Sequence, residues 1–263
     1  MNILNETITL KNGVEMPIIG YGTWQIFDGK KAIRTIQNAL DIGYKHIDTA
    51  QMYENEKSVG KAIKTSHYNH ADIFITSKVL PGTNTYEGTI QAFNESMKRL
   101  DIDVMDLFLI HAPLSWDDEA NVEVWRALEH LYSNKRVRAI GVSNFSAKDL
   151  EKLISKTSIT PHVNQIRFHI GHFPKETLAY CQENDIVVEA YSPFGKGSIL
   201  DHDTVVSMAK KYACTPAQLA MRFCLDKGTV PLPKSANVHR MKENVALDFT
   251  LSQEDLNKLE QLD

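Results

Sequence analysis

The sequence predicts an α/β protein: a closed (β/α)8 barrel with an N-terminal β-hairpin that closes the bottom of the barrel. The first observation is a series of short apolar runs rich in Ile, Val, Leu and Phe, as is typical of strands covered on both faces. The second is that helical patterns separate these runs, which indicates a parallel sheet. The third is the length of 263 residues, which suits one barrel. We therefore predict a single domain over residues 1–263.

Eight apolar runs mark the predicted strands. They span residues 18–22, 44–48, 73–78, 105–111, 137–144, 162–166, 186–192 and 229–234. No break rich in Pro, Gly and Ser divides the series. Eight repeated units in one domain favour a closed barrel over an open, doubly wound sheet.

The remaining elements follow from local signals. Asn12-Gly13 lies between two short apolar stretches, and this dipeptide is the strongest short signal for a hairpin turn. Residues 30–42 carry apolar side chains on one helical face and are followed by a glycine, which predicts a helix end. Residues 84–100 repeat the apolar pattern. Two later helices are predicted to start at Thr215, the first residue of a capping box, and at Ser252.

Composition excludes several classes of function. The net charge is −4 with acidic and basic residues interspersed, so neither nucleic acid nor an anionic membrane is a predicted partner. No run of about 18 apolar residues could span a bilayer, and the N-terminal segment is polar where a signal sequence is apolar. Cys181, Cys214 and Cys224 form no CxxC pair, which predicts free thiols in a reducing compartment. The expected location is the cytoplasm.

Two common ligand motifs are incomplete. Residues 20–25 begin like the GxGxxG motif but lack its last glycine, so no Rossmann phosphate turn is predicted. His169 and His172 are three residues apart, but no carboxylate or cysteine completes a recognisable set of metal ligands. We therefore predict no metal site.

Polar residues or glycines stand at the carboxyl end of every predicted barrel strand. They are Gly22-Thr23, Asp48, Lys78, His111, Ser143-Asn144, Gln165, Tyr191-Ser192 and Lys234-Ser235. A barrel places its active site at this end of its strands. Each residue alone could be a loop or helix-cap residue, but an Asp, a Lys, a His and the nearby Tyr53 together supply charges and proton carriers. The pattern predicts an active site at the mouth of the barrel.

A set of motifs resembles those of one enzyme family. They are GYGTW (20–24), GYKHIDTAQMYENEKSVG (43–60), ITSKV (75–79), DLFLIHAP (106–113), GVSNFS (141–146), VNQIRFH (163–169), AYSPFGKGSIL (190–200), and TPAQLAMRF and VPLPKSANVHRMKEN within 215–244. With these motifs in this order, the whole chain resembles the aldo-keto reductase family, in particular bacterial 2,5-diketogluconate reductases and aldehyde reductases. The resemblance implies a (β/α)8 barrel, a nicotinamide cofactor bound without a Rossmann fold, and reduction of aldehydes and ketones.

The resemblance assigns a catalytic tetrad of Asp48, Tyr53, Lys78 and His111. Tyr53 is implied to give a proton to the carbonyl oxygen. Lys78, held charged by Asp48, is expected to lower the pKa of Tyr53. His111 is implied to orient the carbonyl by a hydrogen bond. Trp24 lies at the position of the aromatic wall of the substrate pocket in the family. Its alternative role is a hydrophobic plug at the barrel mouth. The resemblance therefore implies that the substrate contacts Trp24, Tyr53 and His111.

The nicotinamide half of the cofactor is assigned to the later strands by the same resemblance. Ser143, Asn144 and Gln165 are implied to bind the carboxamide. Tyr191 is implied to stack under the nicotinamide ring. The turn Ser192-Pro193-Phe194-Gly195 is implied to lie near the pyrophosphate.

The adenosine half is assigned to the C-terminal segment. Lys234, Ser235 and Arg240 are implied to form the pocket for the 2′-phosphate, and Glu243 and Asn244 lie at the positions near adenine. The remaining cofactor positions are Gly22, Thr23, Trp24 and Asn237. Because two cations suit a dianionic phosphate, we expect NADPH rather than NADH.

Departures from the family pattern bear on the substrate. Ala112 stands where many relatives carry Trp, and the chain ends at Asp263, directly after its last predicted helix, where relatives continue into a loop over the pocket. Residues 114–121 are expected to form a short acidic loop. We therefore expect an open site and a broad specificity for small aldehydes, dicarbonyls and keto-sugars. The resemblance also implies a monomer.

Two other functions stay open from the sequence. Lys78 at a barrel strand end could form a Schiff base with a carbonyl substrate, as in some aldolases. A cofactor-binding barrel could instead be a redox sensor or partner subunit with little turnover, although such a protein does not need all four tetrad residues.

Overall fold

The structure is a computed structural model that describes residues 3–114 and 117–262. It begins with an antiparallel hairpin, whose strands are β1 (Thr7–Thr9) and β2 (Glu15–Pro17). The predicted turn between them is confirmed. Gly13 has a φ of 83°, which glycine adopts without steric cost, and the Asn12 side chain accepts a hydrogen bond from the N–H of Val14 at 3.2 Å.

Eight parallel strands then form the barrel. They are β3 (Tyr21–Gly22), β4 (His46–Asp48), β5 (Phe74–Val79), β6 (Met105–Ile110), β7 (Val137–Ser143), β8 (Val163–Arg167), β9 (Val187–Tyr191) and β10 (Thr229–Leu232). Each strand pairs with the next one along the chain. The N–H groups of Gly20 and Gly22 donate to the carbonyls of Pro231 and Pro233 at 3.1 and 3.0 Å, and these bonds join the first strand to the last. The predicted (β/α)8 barrel is confirmed.

Helices surround the strands. Within the two described ranges they are α1 (Lys30–Ile42), α2 (Glu56–Lys64), α3 (Tyr86–Leu100), α4 (Asp118–Ser133), α5 (Ala147–Ile154), α6 (Lys175–Glu183), α7 (Asp203–Lys211), α8 (Pro216–Asp226), α9 (Val238–Glu243) and α10 (Gln253–Glu260). The predicted end of α1 and the capping box of α8 are confirmed. Helix α3 starts two residues later than predicted, because Thr85 caps it by accepting a hydrogen bond from Gly88. None of these helices is both long and apolar enough to cross a membrane.

The acidic segment after β6 differs from its prediction as a loop. Asp117 caps α4 by accepting a hydrogen bond from the N–H of Ala120 at 2.9 Å. Asp118 and Glu119 therefore lie in the first helical turn, where carboxylates interact favourably with the helix dipole. Residues 115–116 of the predicted loop lie outside the described residues.

The interior of the barrel has an apolar lower half and a polar upper half. Leu10 and Met16 from the hairpin are buried in one cluster with Val163 and Val230, which lie near the amino ends of their strands. This contact closes the bottom of the barrel, as predicted. Toward the carboxyl ends, the buried interior side chains are Asp48, Thr76, Lys78 and Gln165, and the polar side chains of His46 and Glu189 are buried below them. Because buried polar groups need partners, this upper half has to form a hydrogen-bonded network.

Candidate active site

Lys78 and Asp48 form an ion pair inside the upper half of the barrel. Asp48 is the last residue of β4, and Lys78 lies on the neighbouring strand β5. Lys78 Nζ donates to Asp48 Oδ2 at 2.6 Å and to the backbone carbonyl of Thr49 at 2.9 Å. The side chains of Lys78 and Asp48 are 0% and 5% exposed. The pair therefore places a desolvated positive charge at the floor of the barrel mouth.

A single turn of 3₁₀ helix after β4 carries Tyr53 to this charge. Gln51 anchors the turn, because its side chain donates to the carbonyl of Ala92 at 2.6 Å and accepts from the N–H of Leu80 at 2.8 Å. Tyr53 Oη lies 3.4 Å from Lys78 Nζ. The same ammonium lies 5.0 Å from the centroid of the Tyr53 ring.

Burial decides the ionisation of this tyrosine. Loss of hydration raises the pKa of Tyr53, Lys78 acts in the opposite direction, and Asp48 adds to the increase, so the net pKa is above its ordinary value. Lys78 thus lowers the pKa of Tyr53, as predicted, but the loss of hydration outweighs its effect. Burial alone would lower the pKa of Lys78, but its interactions with Asp48 and, secondarily, with Tyr53 raise it. At neutral pH the site holds a protonated phenol beside a charged ammonium.

His111 follows β6 and packs edge-on against Tyr53, with ring centroids 5.8 Å apart and an interplanar angle of 83°. Its backbone carbonyl accepts a hydrogen bond from Asn144 at 2.9 Å. Burial, and secondarily Lys78, lowers the pKa of His111 to about 3, so the ring is neutral at pH 7. Its Nδ1 is buried and has no hydrogen-bond partner within residues 3–114 and 117–262.

Trp24 lies in the loop after β3 and is 39% exposed. The preceding residue, Thr23, holds this loop, because its backbone N–H and its hydroxyl both donate to the carbonyl of Asp48 at 3.0 and 2.9 Å. Across the barrel mouth, Lys196 Nζ lies 5.5 Å from the centroid of the Trp24 ring. Trp24 therefore faces the mouth, while the side chain of Thr23 serves the backbone.

Four of the predicted cofactor residues lie together at the ends of β7, β8 and β9. Ser143 Oγ donates to the carbonyl of Gln165 at 2.8 Å, and Tyr191 Oη donates to Asn144 Oδ1 at 2.7 Å. Asn144 has a φ of 63°, a conformation that asparagine tolerates better than most residues. These bonds connect three neighbouring strand ends into one surface.

The amide of Gln165 is held from below. Its Nε2 donates to Asp48 Oδ2 at 2.9 Å and to Glu189 Oε2 at 2.7 Å. Both N–H groups of the amide are thus used inside the barrel. The carbonyl oxygen Oε1 is the end that can accept a hydrogen bond from a bound molecule.

The turn after β9 has an unusual backbone. Ser192, Gly195 and Lys196 have φ values of 53°, 54° and 59°. Pro193 is buried, and Phe194 packs partly against the core, so these two side chains anchor the turn. A Cβ at Gly195 would lie 3.0 Å from His169 Cε1. A glycine at this position therefore avoids both a strained backbone conformation and this close contact.

The C-terminal segment presents exposed cations. Lys234 and Arg240 are exposed, and neither makes an ion pair with another residue of the described ranges. Ser235 is buried, and its carbonyl accepts a hydrogen bond from Tyr21 Oη at 2.5 Å. Asn237 caps α9 by accepting from the N–H of Arg240 at 3.1 Å, so its side chain already has a structural role.

The two residues predicted near adenine differ in their exposure. Glu243 is half-buried and lies 3.7 Å from His239 one helical turn earlier. Asn244 is 3% exposed. Gly22 donates its N–H to the carbonyl of Pro233 and therefore lies beside this segment.

Sequence reasoning missed two buried residues beneath the tetrad. Glu189 on β9 is fully buried and bonds to Gln165, and His46 on β4 is fully buried beside it. A glutamate in the middle of the apolar run IVVEAYS was the signal, because an ionisable residue in a strand buried on both faces has to have a partner.

Comparisons with known proteins agree with this geometry. The profile of the Aldo/keto reductase family matches residues 18–263. The chain belongs to this family. A glyoxal reductase of Bacillus subtilis is 42% identical over 260 residues, covering 98% of this chain and 93% of that protein.

Solved structures of aldo-keto reductases have the same fold. An aldo/keto reductase from Brucella melitensis has a TM-score of 0.94 and 41% identity, covering 98% of each chain. An aldo-keto reductase of Bombyx mori in complex with NADP has a TM-score of 0.89 and 31% identity, covering 97% of this chain and 92% of that one. As a member of the family, the chain is an oxidoreductase that uses NADPH.

The residues of this aldo-keto reductase fit NADPH. The carbonyl oxygen of Gln165 can accept a hydrogen bond from the carboxamide, and the half-buried ring of Tyr191 offers a flat apolar surface beside it. Lys234 and Arg240 supply two exposed positive charges for a phosphate. No cluster of three or more side chains suited to a metal ion occurs in the described part of the chain.

Proposed function

We propose that the chain reduces small aldehydes, dicarbonyls and keto-sugars with NADPH, and that Tyr53 gives the proton. One observation carries the proposal: the hydroxyl of Tyr53 lies 3.4 Å from the ammonium of Lys78, which Asp48 holds at 2.6 Å. The similarity to a glyoxal reductase supports a dicarbonyl as substrate.

The tetrad supports the proton-transfer half of the reaction. NADPH, when bound, supplies a hydride to the carbonyl carbon. The carbonyl oxygen then becomes a strong base, and the protonated hydroxyl of Tyr53 can donate to it even though the pKa of Tyr53 is raised. The Lys78 ammonium stabilises the phenolate that remains, because the ammonium is desolvated and its Nζ lies within hydrogen-bond distance of Tyr53 Oη.

His111 is proposed to orient the carbonyl as a neutral donor. Because its pKa is lowered to about 3, its protonation does not occur between pH 5 and 7. We expect kcat/KM to stay constant from about pH 5 to about pH 7. The measurement is a pH series of initial rates with a reactive aldehyde. A decrease in kcat/KM toward low pH, with a midpoint near the ordinary histidine pKa of about 6.5, would show that His111 ionises in this range.

Arg240 is proposed to bind the 2′-phosphate together with Lys234 and Ser235. Arg240→Ala should weaken NADPH binding by about tenfold and leave NADH binding unchanged, because a charge-assisted hydrogen bond to the phosphate is lost. The matched control is Lys242→Ala, which removes an exposed cation from the same helix. Fluorescence titration with both cofactors measures the effect. Equal weakening for NADPH and NADH would exclude a phosphate contact.

The Schiff-base function is disfavoured by the state of Lys78. A Schiff base requires a neutral amine, whereas Lys78 is fully buried, bonded to Asp48 and has a raised pKa. We expect no covalent adduct after borohydride treatment with a carbonyl compound.

A redox sensor would bind NADPH without turnover, so an assay of steady-state reduction distinguishes that function from the one proposed.

The exposed apolar residues at the mouth support small, weakly selected substrates. Trp24, Phe27, Met52 and Leu80 are 39%, 83%, 48% and 48% exposed, and each lies in the segment that follows a barrel strand. We expect methylglyoxal to be preferred over a bulky steroid in a substrate panel.

We also propose that the protein is a cytoplasmic monomer. The three free cysteines are consistent with a reducing compartment.

A further inference from the structure

A buried carboxyl group lies beneath the tetrad and takes no part in the mechanism above. Glu189 Oε2 accepts a hydrogen bond from Gln165 Nε2 at 2.7 Å, and the same nitrogen donates to Asp48 Oδ2 at 2.9 Å. Glu189 Oε1 has no hydrogen-bond partner in the described ranges and lies 3.4 Å from His46 Nε2. One amide therefore connects Glu189 to the carboxylate that holds Lys78.

The charges around Glu189 favour its neutral form. The groups that face it are His46 and Asp48 on β4, Lys78 on β5 and Gln165 on β8. Burial, and then the negative charge of Asp48, raises the pKa of Glu189 to about 8, although Gln165 and Lys78 act in the opposite direction. Burial and Lys78 lower the pKa of His46 to about 3. At pH 7 both members of this pair are uncharged.

Asp48 and Glu189 together determine which way the Gln165 amide points. The two ends of a glutamine amide are nearly the same size, so only hydrogen bonds select its orientation. Here Asp48 and Glu189 both offer acceptor oxygens, and a flipped amide would place its own oxygen against the carboxylate of Asp48. The observed orientation leaves Oε1 for a donor above the barrel, and the nicotinamide carboxamide carries such a donor.

We propose that Glu189 is a positioning residue for the reduction: together with Asp48 it orients Gln165 toward the cofactor's carboxamide and keeps Asp48 in place on Lys78. This inference rests on the proposed function. Glu189 acts only through Gln165 and Asp48, because its side chain is fully buried below them.

The arrangement has a direct dependence on pH. When Glu189 ionises, two carboxylates share one amide nitrogen, and their repulsion is strong because both are desolvated. The positioning is therefore present below the pKa of Glu189, which is about 8, and is lost as the pH rises through it. Cofactor binding should weaken over the same range.

Two variants distinguish a positioning role of Glu189 from a role in packing alone. Glu189→Gln keeps a carbonyl for Gln165 and replaces the acidic O–H with an amide N–H that faces His46. Glu189→Leu has a similar volume and no acceptor. The measurements are the Kd for NADPH, from nicotinamide fluorescence, and kcat/KM, each from about pH 7 to about pH 9.5.

We expect Glu189→Leu to raise the NADPH Kd at pH 7 by about tenfold, and Glu189→Gln to stay within about twofold of the unmodified chain. The unmodified chain should lose affinity with a midpoint near pH 8, and Glu189→Gln should keep its affinity. Identical pH profiles for the unmodified chain and Glu189→Gln would overturn the proposal, and so would an unchanged Kd in a folded Glu189→Leu.

The binding measurement does not depend on turnover. If the unmodified chain bound NADPH but reduced no carbonyl compound, the proposed function would fail while the Kd series still tested Glu189. If Glu189→Leu did not fold, the comparison of pH profiles with Glu189→Gln would decide the question alone.

Discussion

Tyr53→Phe should lower kcat for aldehyde reduction by about 10²–10⁴-fold, the range expected when a general acid is removed. The substitution removes only the hydroxyl that lies 3.4 Å from Lys78 and keeps the ring that packs against His111. Binding of NADPH should be nearly unchanged, because Tyr53 is not among the residues proposed to hold the cofactor. Steady-state rates from nicotinamide absorbance and fluorescence titration of NADPH measure the two quantities.

The matched control is Tyr68→Phe. Tyr68 lies before β5, at the amino ends of the strands and therefore at the opposite end of the barrel from the site. This variant should keep the full rate. If Tyr53→Phe kept a rate similar to that of Tyr68→Phe, the proton would have to come from another group.

Lys78→Met should lower the free energy of unfolding by about 3–5 kcal/mol, as is typical when one partner of a buried ion pair is removed. The reason is that Asp48, only 5% exposed, would keep a buried charge with no cation beside it. Activity should be lost as well, because the phenolate of Tyr53 would have no stabilising charge. Urea denaturation followed by circular dichroism gives the free energy of unfolding.

Lys64→Met is the control for the stability effect. Lys64 also forms an ion pair, with Asp101, but the two side chains are 66% and 63% exposed. Water and salt screen that pair, so its loss should leave the free energy of unfolding nearly unchanged. Similar stabilities for the Lys78 and Lys64 variants would mean that Asp48 is not left as an unpaired charge.

The fold and the position of the site could be predicted because their signals are local. Apolar runs predict strands one at a time, and the polar residue at the end of each run, such as Asp48 or Lys78, needs no knowledge of the other strands. The hairpin at Asn12-Gly13 and the end of α1 likewise depend on backbone preferences of single residues.

Features that depend on burial and on contacts between distant strands could not be predicted in this way. The pKa of Tyr53 is raised because desolvation outweighs Lys78, and the sequence does not report how much water reaches the phenol. The link from Glu189 through Gln165 to Asp48 joins β9, β8 and β4, which only the closed barrel brings together. The contact between Lys196 and Trp24 also crosses the mouth.

The central claim is that this barrel reduces a small carbonyl compound with NADPH. The most direct measurement mixes the protein with NADPH and glyoxal or methylglyoxal and follows nicotinamide absorbance together with the alcohol formed. We expect continuous oxidation of NADPH, with one alcohol formed for each NADPH consumed. Tight binding of NADPH with no oxidation across a panel of small aldehydes, dicarbonyls and keto-sugars would contradict the claim.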